Sequence, residues 1–180
     1  MWIQTYTGEQ FSFIDLEPIN IEDIARSLSH ICRYGGHSQR FYSVAEHSYH
    51  VSFLTRDPLA GLLHDASEAY IGDIPTPLKK YLAYVGNHAL AEMEDKILEK
   101  VFQAHGLPYP MTEDVKLADA QMLVLEAQTL FKGGVHGHWE MPKVPKAPVV
   151  LEHWDSEFAM YKFLKRYNYL MENREQNASL

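Results

Sequence analysis

Three stretches of the 180-residue chain carry side chains able to ligate a metal ion or to move protons. His64-Asp65 is followed by Glu68, His47 lies upstream, and Asp119 stands far downstream. In a helix running from Asp57 to Tyr70, the apolar stripe is Leu59, Leu62, Leu63, Ala66 and Tyr70; Ala60, Gly61, His64, Asp65 and Glu68 run beside it. Glu68, at i+4 from His64, then points the same way one turn on, and the small Ala60 and Gly61 leave space on that side. An imidazole and two carboxylates flanking a core stripe are costly to bury unless paired or metal-bound, although a His-Asp dipeptide alone is also what a solvated face looks like. His47 falls on the stripe Val44, His47, Val51 and Leu54, as a hydrogen-bonded core residue or a ligand. His50 falls off that stripe, which predicts exposure or a polar partner. Asp119 lies on or beside the stripe Val115, Ala118, Met122, Leu125 and Thr129, where a carboxylate marks a buried ion pair or a ligand.

Together these segments aim two imidazoles and two carboxylates at one core. That donor set suits Mn²⁺, Fe²⁺, Co²⁺ or Zn²⁺ better than a thiolate-only or all-oxygen site, and the identity of the ion is open among these and Mg²⁺. An ion so held lowers the pKa of bound water and supplies a nucleophile at neutral pH.

Composition narrows the partners. Lys and Arg number 16 against 24 Asp and Glu, a net charge of −8, which disfavours non-specific nucleic-acid binding because phosphate neutralisation needs clustered cations. The single Cys32 excludes a disulfide framework and a cysteine zinc cluster, and fits a reducing compartment. No apolar run reaches the ~18–20 residues of a membrane span, and Met1-Trp2-Ile3-Gln4-Thr5 lacks the marks of a signal peptide. The expectation is a soluble, cytoplasmic protein with no membrane and no nucleic-acid partner.

The positioning elements read as mostly helical. Residues 2–13 alternate around Thr7-Gly8, predicting a short hairpin. Asn20 caps a helix carrying Ile21, Ile24, Leu28 and Ile31, which Tyr34-Gly35-Gly36 ends. Ser43-x-x-Glu46 has the form of a capping box and opens a second helix. Asp57-Pro58 opens a third. Gly72-Asp73-Ile74-Pro75-Thr76-Pro77 predicts a loop, after which a helical stretch runs to about residue 104. Thr112-Glu113-Asp114 caps a helix through about Phe131; residues 132–150, with three glycines and three prolines, form an irregular connection, and Asp155 opens a last helix to about Met171. The fold class is all-α: one domain over residues 1–180, five to six or more helices, with a short N-terminal β-hairpin.

Ser43-Val44-Ala45-Glu46-His47-Ser48, Leu62-Leu63-His64-Asp65-Ala66-Ser67-Glu68-Ala69, Gly72-Asp73-Ile74-Pro75-Thr76-Pro77-Leu78-Lys79 and the distant Asp119 resemble the HD-domain metal-dependent phosphohydrolases. The resemblance covers about residues 20–130. It points to the bacterial 5′-deoxynucleotidase branch and its short phage-type relatives, including the dATP triphosphohydrolase type. It implies an HD-type helical bundle with His47, His64, Asp65 and Asp119 as metal ligands. Glu68 matches the acid that orients or deprotonates the attacking water, or protonates the leaving 5′-oxygen. Asp73 matches a second carboxylate near phosphate and sugar. Arg33 matches an arginine that clamps phosphate; its bland alternative is a cation at a helix C-terminus.

Two departures stand out. His47 and His64 are 17 residues apart, closer than in the cellular enzymes, and Tyr34 replaces a tryptophan associated with selecting deoxyribose. The Tyr34-Gly35-Gly36-His37 turn brings His37 toward phosphate or is a plain turn, and Lys79 with Lys80 offsets phosphate charge or is a solvated helix start. His30, His88, His105, His136, His138 and His153 have no recruiting spacing, and Trp139 and Trp154 read as core or oligomer contacts.

The implied activity is hydrolysis of the 5′-phosphate ester of a small-molecule (deoxy)nucleotide, releasing phosphate from a dNMP or triphosphate from a dNTP. The alternatives are an HD hydrolase of cyclic dinucleotides or (p)ppGpp, and a non-catalytic nucleotide-binding regulatory module. A homo-oligomer is implied by analogy alone.

Overall fold

Asn20, Ser43 and Asp57 each accept a hydrogen bond from a backbone N–H of the turn that follows them, and these caps set where the first three helices begin. The computed structural model describes residues 1–137 and 139–178; His138 lies outside them. Strands β1 (Trp2–Gln4) and β2 (Gln10–Ser12) pair antiparallel with Ile3 opposite Phe11, as the hairpin pattern predicts. The helices are α1 (Ile21–His30), α2 (Val44–Val51), α3 (Pro58–Leu63), α4 (Glu68–Ile71), α5 (Thr76–Tyr84), α6 (Ala89–Ala104), α7 (Glu113–Leu130) and α8 (Ser156–Ala178). The fold is therefore all-α with a small N-terminal hairpin. Among the described residues no helix is long and apolar enough to cross a membrane. The hairpin is tied down by Asp23 of α1, whose buried carboxylate accepts from the Thr7 backbone N–H at 2.7 Å and its hydroxyl at 2.9 Å. Phe11 of β2 stacks on Tyr70 of α4.

Helix α2 is the axis of the bundle and packs against α1, α3, α7 and α8. Enclosed on all sides, it has no wet face. Of the two expectations for His50, exposure fails: the ring is buried between those of Tyr49 and Trp154, and its polar neighbour is the Glu46 carboxylate, 3.8 Å from Nε2. The capping box at its start is half made. Ser43 Oγ accepts from the Glu46 N–H at 3.1 Å, but the buried Glu46 carboxylate turns away and accepts the backbone N–H groups of Glu152, His153 and Trp154 at 3.2, 3.0 and 2.9 Å. That clamp fixes the entry into α8, which Asp155 caps through the Phe158 N–H and which buries Ala159, Phe163 and Leu170 in the main core.

Other boundaries shift for local reasons. The expected helix from Asp57 to Tyr70 is interrupted after Leu63. Helix α5 begins at Thr76, so Pro77 sits in its first turn, where a missing N–H costs nothing, and left-handed Gly86 separates α5 from α6. Thr129 is exposed, not part of the α7 stripe. The irregular 132–150 connection docks at its far end: Ala147 is buried against Val51, Ala118, Met122 and Leu125, and its N–H donates to Gln121.

Replacing Glu46 by Ala leaves three backbone donors around residues 152–154 without their acceptor. The expected loss is about 2–5 kcal/mol of folding stability by chemical denaturation, with Glu46→Gln, which keeps an acceptor oxygen, falling between it and the wild type.

Candidate metal centre

The break after Leu63 shapes the site. Between residues 63 and 70 the backbone bonds run three residues back: Ala66 to Leu63, Glu68 to Asp65, Ala69 to Ala66 and Tyr70 to Ser67. At three residues per turn, positions i and i+3 eclipse, which turns Glu68 toward Asp65, whose charge acts on its carboxyl. Gly61 is also different in kind from the expectation. It does not leave space: a Cβ there would lie 2.5 Å from Thr55 Oγ1 and 3.1 Å from Ser52 Cα, so glycine is needed for α3 to approach the end of α2. The Gly61 carbonyl in turn accepts from His64 Nδ1 at 2.8 Å.

That bond fixes the His64 tautomer. A carbonyl only accepts, so Nδ1 carries the hydrogen and the lone pair of the neutral ring is on Nε2. His47 is oriented the same way, its Nδ1 bonded to Glu126 at 2.6 Å. The two Nε2 atoms then face each other at 3.2 Å inside the protein. Facing lone pairs repel unless a cation or a proton lies with them. Nitrogens that each bind one cation at 2.0–2.1 Å stand about 2.9–3.4 Å apart, which is the spacing seen here. Carboxylate oxygens complete the set. Asp65 Oδ2 is 3.3 Å from His64 Nε2 and 3.6 Å from His47 Nε2, and Asp119 Oδ1 is 3.2 Å from His47 and 3.9 Å from His64. Ligating atoms of His47, His64 and Asp65 all lie within 4.8 Å of one another. All four expected ligands therefore converge, with the histidines buried and Asp119 on the open side. Two imidazoles and two carboxylates, each imidazole held from behind, fit a divalent transition ion.

Behind the cluster lies a residue that the sequence reading passed over. Glu126 of α7 is fully buried and gathers four donors: Arg33 (Nε and Nη2, both 3.3 Å), Tyr34 Oη (2.5 Å), Tyr42 Oη (3.0 Å) and His47 Nδ1. Burial favours its neutral acid, but Arg33 and then His47 outweigh that and hold it down at about 2. The same network acts on His47. Burial and Arg33 favour the neutral ring, yet Glu126 and Asp119 push it up to about 9. Asp119, against burial, is drawn far below the carboxylate range by His47. A carboxylate seven residues after a suspected ligand lies on the same helix face, and that spacing from Asp119 was the available signal.

The remaining expected residues divide. Arg33 sits in the turn Arg33–Gly36 beyond α1, nearly buried, with Nη1 3.2 Å from Asp65; its partners are the site's carboxylates, not the carbonyls at the end of α1. Glu68 is buried with Oε2 lacking a hydrogen-bond partner. Burial, then the charges of Asp65 and Asp73, raise its pKa well above the usual carboxylate value, with Arg33 and Lys79 only partly opposing. Asp73 Oδ2 accepts the Tyr34 N–H at 3.3 Å. Lys79 pairs with Glu94 at 2.6 Å. His37 is exposed and its N–H donates to the Tyr34 carbonyl, which is the plain-turn alternative.

No family model matches the chain. It is 43% identical over 133 residues to the uncharacterized protein YfdR of Escherichia coli, covering 72% of each chain. It is 35% identical over 146 residues to an uncharacterized protein of Rhodobacter capsulatus, again covering 72% of each.

Glu126→Gln keeps the shape but removes the charge that orients His47. Divalent metal affinity, measured by titration with Mn²⁺ or Co²⁺, is expected to weaken about 10–100-fold. The substitution also changes acid stability. The folded value of Glu126 is depressed, so its contribution is complete above the ordinary carboxylate value and is lost as pH falls toward 2. Acid unfolding of Glu126→Gln should therefore show a shallower stability slope below about pH 4.5.

Proposed function

The chain belongs to the family of YfdR, and from the site we propose that it is a metal-dependent phosphohydrolase of the HD type, cleaving the 5′-phosphate ester of nucleotides, deoxynucleotides first among them. The observation that carries this reading is the pair of Nε2 atoms facing each other at 3.2 Å, with both Nδ1 atoms already bonded and carboxylates at the rim. His47, His64, Asp65 and Asp119 would hold the ion. When bound, it polarises a phosphoryl oxygen and acidifies water.

The chain's own groups account for the rest. The Arg33 guanidinium, beside Asp65 at the cluster, offers charge-assisted donors to phosphoryl oxygens, where charge builds in the transition state. Burial, then the charges of Asp65 and Asp73, favour the protonated form of the Glu68 carboxyl. With Oε2 free of any partner, the protonated carboxyl can give its proton to the departing 5′-oxygen. Asp73, bonded to the Tyr34 backbone, adds negative charge that favours a proton on Glu68. The Lys79 cation contributes positive potential near Glu68 and Asp65. Breaking the same bond yields phosphate from a monophosphate and triphosphate from a triphosphate. The net charge of −8 is no obstacle, because the local field decides anion binding.

The test is a panel of dNMPs, NMPs and dNTPs with Mn²⁺ or Co²⁺, products identified by mass. Nucleoside with phosphate or with triphosphate is expected. Glu68→Gln should keep its metal and lose about 10²–10⁴-fold in kcat, whereas Asp119→Ala should lose metal and turnover together. A metal-loaded wild type that releases no product from any member would sink the reading.

A further inference from the structure

Tyr34 borders the candidate centre through Asp73 and Glu126, and Phe131 and Trp139 pack against it; none of the three is among the residues of either hydrophobic core. Their rings meet edge to face, with centroids 5.1 Å (Tyr34–Phe131), 5.5 Å (Phe131–Trp139) and 6.3 Å (Tyr34–Trp139) apart. Each is placed by a separate device. Phe131 is the residue on which α7 ends, five positions after Glu126. Trp139 is brought back to it by the glycine-containing segment from Gly133, with left-handed Gly133 and Gly134 and a turn in which the Trp139 N–H donates to His136. Tyr34 is held at both ends by the site itself: its N–H on Asp73 and its hydroxyl on Glu126. Its left-handed backbone, φ 59°, is costly for a non-glycine residue and persists because those two bonds over-determine it. Trp139 remains 38% exposed. A tryptophan left partly in water, edge-packed on two rings and outside the core, has lost hydrophobic burial that a planar ligand would return.

We propose that Trp139 is the stacking platform for the nucleobase of the substrate, braced edge-on by Phe131, with Tyr34 as the wall between that platform and the phosphate end of the site. The inference rests on the nucleotide phosphohydrolase reading and deepens it: the substrate class is one with a heteroaromatic ring, not a bare sugar phosphate. Base–aromatic stacking is tolerant of base identity because every base presents a π face, so the platform selects for a base without choosing among bases.

Binding of a dNMP and of 2-deoxyribose 5-phosphate is compared by calorimetry for the wild type, Trp139→Ala and Trp139→Phe. The expected result is a preference for the nucleotide in the wild type that shrinks about 5- to 150-fold in Trp139→Ala and largely returns in Trp139→Phe. If both dissociation constants rise by the same factor, Trp139 only supports the loop and the platform is wrong. An unchanged preference in Trp139→Ala, or a wild type that binds no nucleotide, also overturns it. The two readings separate cleanly. Base-dependent binding lost in Trp139→Ala, with no product from the wild type, keeps the platform and removes the hydrolase; turnover with an unchanged preference does the reverse.

Discussion

One buried carboxylate organises the centre of this protein. Glu126 is fully enclosed and takes donors from Arg33, Tyr34, Tyr42 and His47. Ionised and unpaired in such a place it would cost several kcal/mol, so the surrounding groups are bound to it as strongly as it depends on them. Arg33 is thereby held against Asp65, Tyr34 is held in a left-handed conformation, and His47 is turned so that Nε2 faces His64. Remove the charge and the four neighbours lose their common reference point.

A second buried carboxylate, on the same central helix, does the corresponding structural task. Glu46 and His47 are adjacent on α2, yet Glu46 faces the backbone of residues 152–154 and His47 faces α7. Because α2 is enclosed by α1, α3, α7 and α8, each polar group on it must find a partner in the protein. Most do. The exceptions among its polar atoms are His50 Nε2, 3.8 Å from Glu46 Oε1, and Ser48 Oγ. Beside His64 and Asp65 the atom without a hydrogen-bond partner is Glu68 Oε2.

The local rules are most visible where they change. The Asp57–Tyr70 stretch has the composition of one amphipathic helix, and its apolar positions are buried as that pattern requires. Its winding tightens after Leu63, however, and the tightening places Glu68 with Asp65. Nothing in the apolar spacing distinguishes the two windings over so few residues, because Ala66 and Tyr70 are buried in either. Gly61 shows the same limit. A glycine within a helix reads as open space or as a weakness, but here it is the contact surface for the Ser52–Thr55 turn.

What the sequence determined by itself was everything with a short range: the caps at Asn20, Ser43 and Asp57, the hairpin at Thr7-Gly8, the helical periods, and the ligand-type residues His47, His64, Asp65 and Asp119. These depend on bonds within a turn or on a repeat along one element, and both are written in adjacent positions. The tertiary structure decided the rest: the burial of His50, the pairing of Arg33 with Asp65 and Glu126, the diversion of Glu46 to residues 152–154, and the role of Glu126. The bonds of Glu126 join residues 79 to 93 positions apart. A charge at such a distance leaves no periodic trace. Its partner is chosen by which helices pack together and by the penalty for leaving a buried carboxylate unmatched, and that choice exists only once the bundle has closed.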